Sequence, residues 1–140
     1  MSTEQQQAAV GYVRVATGKA SGARAQIERH KDTIINICRD SRLRLTHMII
    51  DIGGRTGRGR ALDLLVMERA SVLVVPSMAQ LSRRSGELAA MLGHYFGPPS
   101  GRAHLIAVAE GIDSRTQPGR VAIDVLRCMV RFEGLGVYHA

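Results

Sequence analysis

The chain has only two cysteines, Cys38 and Cys128, and they lie far apart without the paired spacing that binds zinc. Both fall inside apolar, helix-like patterns and read as buried free thiols. The five histidines, His30, His47, His94, His104 and His139, are scattered without metal-ligand spacing, so no metal and no cofactor is expected. No apolar run approaches the length needed to cross a bilayer. The opening "MSTEQQQAAV" lacks both the basic head and the apolar middle of a secretory signal. No membrane partner is expected, and the expected location is the cytoplasm. Lysine is nearly missing, occurring only as Lys19 and Lys31. There is no internal repeat, and the only low-complexity stretch is a glycine-arginine segment.

What is present is positive charge carried by arginine. A net charge of +7 and a pI near 10.4 favour an anionic partner such as nucleic acid. A guanidinium grips a phosphate with two bonds where an ammonium offers a point charge. Composition alone leaves open that the arginines reflect codon bias in a GC-rich genome. At 140 residues and 45% hydrophobic content, the chain suffices for one domain with its own core.

The order of elements predicts an α/β domain. "VGYVRV" (10 to 15) is a short apolar run with β-branched residues, read as a buried strand, and "TGKASG" is a loop by composition. Over 23 to 42 a helix is predicted from Ala23, Ile27, Ile34 and Cys38 at helical intervals. "LTHMIID" (45 to 51) is a second strand, followed by the glycine-arginine segment "IGGRTGRGR". Leu62, Leu65, Val66 and Arg69 mark a short helix, and "SVLVVP" (71 to 76) is a strand stopped by Pro76. Leu81, Leu88, Met91, Leu92 and Tyr95 stripe a further helix that stops before "GPPSG", and "HLIAVA" (104 to 109) is a fourth strand. Strands alternating with helices imply a mostly parallel sheet of four to five strands, flanked by helices. The expected organisation is a disordered head over 1–9, one domain over 10–134 and a tail over 135–140.

The last helix carries more apolar surface than one core contact needs. In "GRVAIDVLRCMVRFEG" the polar residues Asp124, Arg127 and Arg131 form one narrow stripe, and nearly everything else is apolar. A second buried face is therefore expected against another copy of the chain, with Val121, Val125, Met129 and Phe132 in the interface. A homodimer or higher oligomer is the expected state.

Taken in order, "GYVRVATG", "AQIERHKDTIINICRD", "DIGGRTGRGRALDLL", "SVLVVPSMAQLSRRSGEL" and "GIDSRTQPGRVAIDVLRCMVRFEG" resemble the catalytic domain of the serine recombinases, the resolvase and invertase family. The likeness runs from about residue 10 to about residue 134. It implies a mostly parallel sheet, a long final helix for dimerisation, and a serine that attacks a DNA phosphate while arginines hold it.

The same resemblance exposes departures. The family serine falls at Ala16, its aspartate at Ala79, and its next arginine at Gln80, while a further arginine aligns with Gly59, flanked by Arg58 and Arg60. Gln26 and Arg14 are retained. Several members of one catalytic unit missing together fit an unused active site better than a single engineered change. No catalytic residue is expected, and Thr17, Ser21, Ser77 and Ser82 are poor replacements for the nucleophile. Arg14, Arg58, Arg60, Arg83 and Arg120 remain candidates for holding DNA phosphates without base readout. Arg14 has the alternative role of satisfying a buried carboxylate, and Arg120 that of opening the last helix. The family's helix-turn-helix is not seen after "GLGVYHA".

The function expected is thus an inactive recombinase-like module that associates with itself, with DNA, or with an active recombinase or other protein. Two alternatives stand beside it. One is an active recombinase using a displaced hydroxyl. The other is a nucleotide enzyme using "GGRTGRGR", which lacks the lysine-serine or lysine-threonine ending of a phosphate-binding loop.

Overall fold

The computed structural model describes residues 6–16, 21–96 and 102–134, the side chains of residue 21 and of 129–134 excepted. Its strands are β1 (Ala8–Val15), β2 (Arg44–Ile52), β3 (Val72–Val75), β4 (His104–Ala107) and β5 (Ile112–Asp113). Its helices are α1 (Ser21–Asp40), α2 (Thr56–Val66), α3 (Ser85–Tyr95) and α4 (Gln117–Gly134), with one 3-10 turn at Met78–Gln80. The strands form a single sheet in the order β2-β1-β3-β4-β5. β1 to β4 are parallel and β5 runs antiparallel to β4. This is the α/β sheet that alternating strands and helices imply.

Period-two alternation divides β1 and β3 between two cores. Ala9, Val13, Val15, Val72 and Val74 meet Ile34 and Cys38 of α1 on one face. Val10, Tyr12, Leu73 and Val75 meet Ala61, Leu65, Met91, Leu92 and Ile123 of α2, α3 and α4 on the other. All four residues of β3 are buried, which is why "VLVV" reads as a continuous apolar run rather than an alternating one. Each large aliphatic side chain withdrawn from water this way contributes about 1.5–3 kcal/mol before chain entropy is counted.

Several expectations are corrected. β1 starts at Ala8, inside the segment expected to be a disordered head, while residues 1–5 and the expected tail, 135–140, lie outside the described residues. α2 starts at Thr56, so the second half of the glycine-arginine segment, Thr56 to Arg60, opens a helix while Gly53 to Arg55 connect it to β2, and Arg69 lies beyond the helix end. β5, with two residues, is too short to show a period in the sequence. Gly111 at φ +68° turns the chain back into it, a conformation L side chains rarely adopt. Cys38 is buried, and burial pushes its thiol up to about 11, but Cys128 is exposed. Cys128 lines an open groove between α3 and α4 beside Asp124 and Arg127, which periodicity could not distinguish from a core position.

α1 ends where Arg42 takes the left-handed conformation, and the Leu43 amide reaches back to the Cys38 carbonyl at 2.8 Å. α2 ends the same way, with Glu68 left-handed and the Arg69 amide on the Leu64 carbonyl at 2.9 Å. α4 opens on Thr116, whose hydroxyl oxygen accepts the Gly119 amide at 3.1 Å. It packs against α3 and β5, burying Ile123 and half-burying Leu126, and leaves Val121 and Val125 exposed at 54% and 51%. No helix among the described residues is long and apolar enough to cross a membrane.

Candidate functional site

Parallel α/β sheets present ligand sites outside the carboxyl ends of their strands. Here that edge gathers Arg14 from β1 and Ala16 just after it, Gly53 to Arg55 after β2, the start of α2, and the Met78–Gln80 turn after β3. Asp51 organises it from below. The Tyr12 hydroxyl donates to Asp51 Oδ2 at 2.6 Å, and Asp51 accepts the Gly57 amide at 2.8 Å and the Arg58 amide at 3.1 Å. A carboxylate from the neighbouring strand therefore takes the place of a capping side chain on α2, since Arg55 at the cap position offers none. Gly57 is required for this approach. A Cβ there would stand 2.6 Å from Ile49 Cγ2 and 2.7 Å from Asp51 Oδ1. Tyr12 is fully buried, and burial first, then the Asp51 carboxylate, raise its ionisation above the ordinary phenol range.

Three arginines converge on the same edge. The Arg14 side chain donates from Nε to the Gly54 carbonyl at 3.1 Å, and its two Nη groups have no hydrogen-bond partner among the described residues. Arg55 donates to the Gln80 carbonyl and, at 2.9 Å, to the Leu81 carbonyl. Arg58 donates to the Leu81 carbonyl at 2.6 Å and forks onto Glu87, Nη1 to Oε1 at 3.2 Å and Nη2 to Oε2 at 3.3 Å. Burial, then the Arg14 charge, hold the Arg55 guanidinium below its usual range, with Arg58 adding to the effect and Tyr12 opposing it. Cations crowded this way favour an incoming anion.

The Gln80 side chain accepts the backbone amide of Arg14. β3 pairs with β1 only as far as Gly11, so Gln80 completes the strand where β3 has ended. Ser82 accepts the Arg84 amide at 3.1 Å and donates to Glu87 Oε1 at 2.6 Å. With the Ser82 hydroxyl first and Arg58 second, Glu87 is pushed down to about 2.

The expected site residues separate into groups. Arg14 and Arg58 sit in the cluster, and it is Arg58 rather than Arg14 that pairs with a carboxylate. Arg83 is exposed just after the 3-10 turn, without an ion pair among the described residues. Arg60 is exposed and about 200° around the helix from Arg58, so it faces away from Gln80 and Leu81. Arg120 is elsewhere. β5 returns the chain to the amino edge of the sheet, where Arg115 reaches Gln7 and Arg120 donates to the Arg115 carbonyl at 3.3 Å. Ala16 and Gly59 are exposed, and Ala79 and Gln80 are half-buried. Thr17 and the side chains of Ser21, Met129 and Phe132 lie outside the described residues. Among the described residues no three His, Cys, Asp or Glu side chains group as metal ligands.

Sequence reasoning missed Asp51, Arg55 and Glu87, and weighed Ser82 only as a replacement nucleophile. A lone carboxylate closing an apolar strand was the available signal for Asp51. Nothing in the spacing of 82 and 87 announces a partner on α2.

Comparison with known proteins places this geometry. No curated protein matches the sequence. Among solved structures, the N-terminal catalytic domain of TP901-1 integrase superposes with a TM-score of 0.76 at 16% identity, covering 94% of this chain and 100% of that one. A resolvase family site-specific recombinase from Streptococcus pneumoniae gives 0.77 at 19% identity, covering 94% and 91%. At these identities the likeness is one of fold. The family model described as the resolvase N-terminal domain matches residues 9–135. With nearly the whole chain inside that match, and the sheet and helices of the same catalytic domain, this protein belongs to the resolvase family.

Proposed function

We propose that this chain has kept the resolvase-family fold and lost strand cleavage, and that it works as a self-associating binding or regulatory module holding DNA phosphates without reading bases. The observation that carries the reading is Ala16. It stands exposed at the exit of β1, two residues on from Arg14, and a methyl group has no oxygen with which to attack phosphorus. Two hydroxyls built into this part of the fold are committed elsewhere, Tyr12 to Asp51 and Ser82 to Glu87. Gln80, aligned with a family arginine, uses its side chain to complete β1.

The phosphate contact is assigned to Arg14, whose two Nη groups have no partner among the described residues, and to the exposed Arg83, with Arg60 reaching a phosphate farther along the duplex. Arg120 is left out of this set because it lies at the opposite edge of the sheet. Contacts limited to phosphates give affinity that falls steeply with salt. Self-association is supported by Val121 and Val125, exposed on one helix face.

The test is incubation with nicked and supercoiled DNA, followed by a denaturing gel. Neither the natural chain nor Ala16→Ser is expected to form a covalent adduct, since Ala79 and Gln80 remain in the variant. Recovery of the chain bonded to a DNA end overturns the reading. Light scattering with duplex at low and high salt tests the rest. A salt-sensitive complex of a self-associated chain is expected, whereas a dimer indifferent to DNA leaves a protein-only module.

A further inference from the structure

We infer that Glu87 is a resident occupant of an anion seat built by Arg58, so that a DNA phosphate gains Arg58 only by displacing that carboxylate. The inference rests on the phosphate-holding reading above. Arg58 presents both Nη groups to the two Glu87 oxygens, at 3.2 and 3.3 Å. This is the two-pronged arrangement in which a guanidinium takes a phosphate. The Ser82 hydroxyl, 2.6 Å from Oε1, adds a third donor to the same seat. The Leu81 carbonyl, 2.6 Å from Nη1, fixes the guanidinium's direction from the other side.

Two features make the occupant exchangeable. Tight charge-assisted bonds of this type run to about 2.7–2.9 Å, and both prongs here are longer. The pair is also open to water: side-chain exposures are 19% for Arg58 and 33% for Glu87, and both line a groove of about 450 Å³ between α2 and α3. A phosphate arriving through the groove meets donors already aimed, but also a negative charge that repels it. Glu87 therefore sets how many phosphates the edge holds. Arg14 acts without release, and Arg58 acts only when Glu87 yields.

The experiment measures affinity for a short mixed-sequence duplex as a function of salt, using the whole chain and checking each variant for folding by circular dichroism. Glu87→Gln is expected to bind about fivefold tighter at low salt, with a salt slope steeper by about 0.9, the increment of one added phosphate contact. Glu87→Asp keeps the charge but withdraws it by one methylene, and is expected to gain about twofold. Asp63→Asn deletes the same charge from the exposed side of α2 and is expected to leave the slope unchanged. Adding Arg58→Gln to Glu87→Gln is expected to abolish the gain.

The inference fails if Glu87→Gln binds no tighter than Asp63→Asn, or if the gain survives loss of Arg58. The first comparison decides even where the double variant does not fold. A natural chain that binds while Glu87→Gln adds nothing sinks this inference and spares the phosphate-holding reading. Binding by Glu87→Gln alone supports release of Arg58 and overturns the assignment of phosphate holding to Arg14 in the natural chain, and binding by neither sinks both.

Discussion

The Tyr12 hydroxyl donates to Asp51 across adjacent strands at 2.6 Å, and that carboxylate in turn holds the first amides of α2. Removing the phenol oxygen leaves a buried acceptor short of one donor. Tyr12→Phe is expected to cost about 1–3 kcal/mol in urea unfolding. Because Tyr12 ionises later in the fold than in the unfolded chain, its contribution is complete below pH 10 and is lost as pH rises beyond it. The stability of the natural chain should therefore fall above pH 10, and an absorbance titration should show one of the three tyrosines ionising only as the protein unfolds.

Two glycines in one helix should respond oppositely to alanine. At Gly57 the added Cβ meets Ile49 Cγ2 at 2.6 Å and the Asp51 oxygen at 2.7 Å, so Gly57→Ala is expected to destabilise by about 1–3 kcal/mol. At Gly59 nothing lies within 4 Å, and Gly59→Ala is expected to stabilise by about 0.5–1 kcal/mol. Thermal melts of the two variants check both signs.

Glu87 makes stability depend on acid. Its folded value, pushed down to about 2, lies below the ordinary value of 4.5, so the carboxylate's contribution is present above about pH 4.5 and is lost as pH falls toward 2. Replacing it by glutamine should flatten that part of the curve of melting temperature against pH. A remaining acid limb is expected from Asp113. Burial raises that group, but the Arg115 bonds outweigh it and hold it low.

The left-handed residues that close α1 and α2 carry side chains with no conformational reason to be there. Arg42→Gly and Glu68→Gly are each expected to raise stability, by about 0.5–1 kcal/mol after the looser unfolded chain is allowed for. Glu68 gives up only an exposed ion pair, 3.9 Å from Arg102, which is worth little. Urea midpoints for the two variants measure this directly.

On α4, a charge placed among the exposed valines should separate copies of the chain. Val125→Glu is expected to lower the mass measured by light scattering while leaving the circular dichroism unchanged, because Val125 is half exposed and Ile123, not Val125, enters the core. An unchanged mass would remove this face from the interface.

The parallel sheet, the positions of α1, α3 and α4, and the arginines were legible in the residues, because burial imposes periods of two and 3.6 on the chain and these survive in one dimension. Ala16, Ala79 and Gln80 were legible for a different reason: the order of motifs tells which chemistry each position would serve. The early start of α2 was not legible. Glycine and arginine side chains supply no apolar period, and the helix begins there because Asp51, from the strand before it, binds its first amides. Only the fold decided which arginines are free. Arg14, Arg55, Arg58 and Arg120 are alike in sequence, yet each one's hydrogen-bond partners depend on where strands end and return. That put Glu87 against Arg58 and carried Arg120 to the far edge of the sheet, since a guanidinium's availability is set by the acceptors that packing brings within about 3 Å.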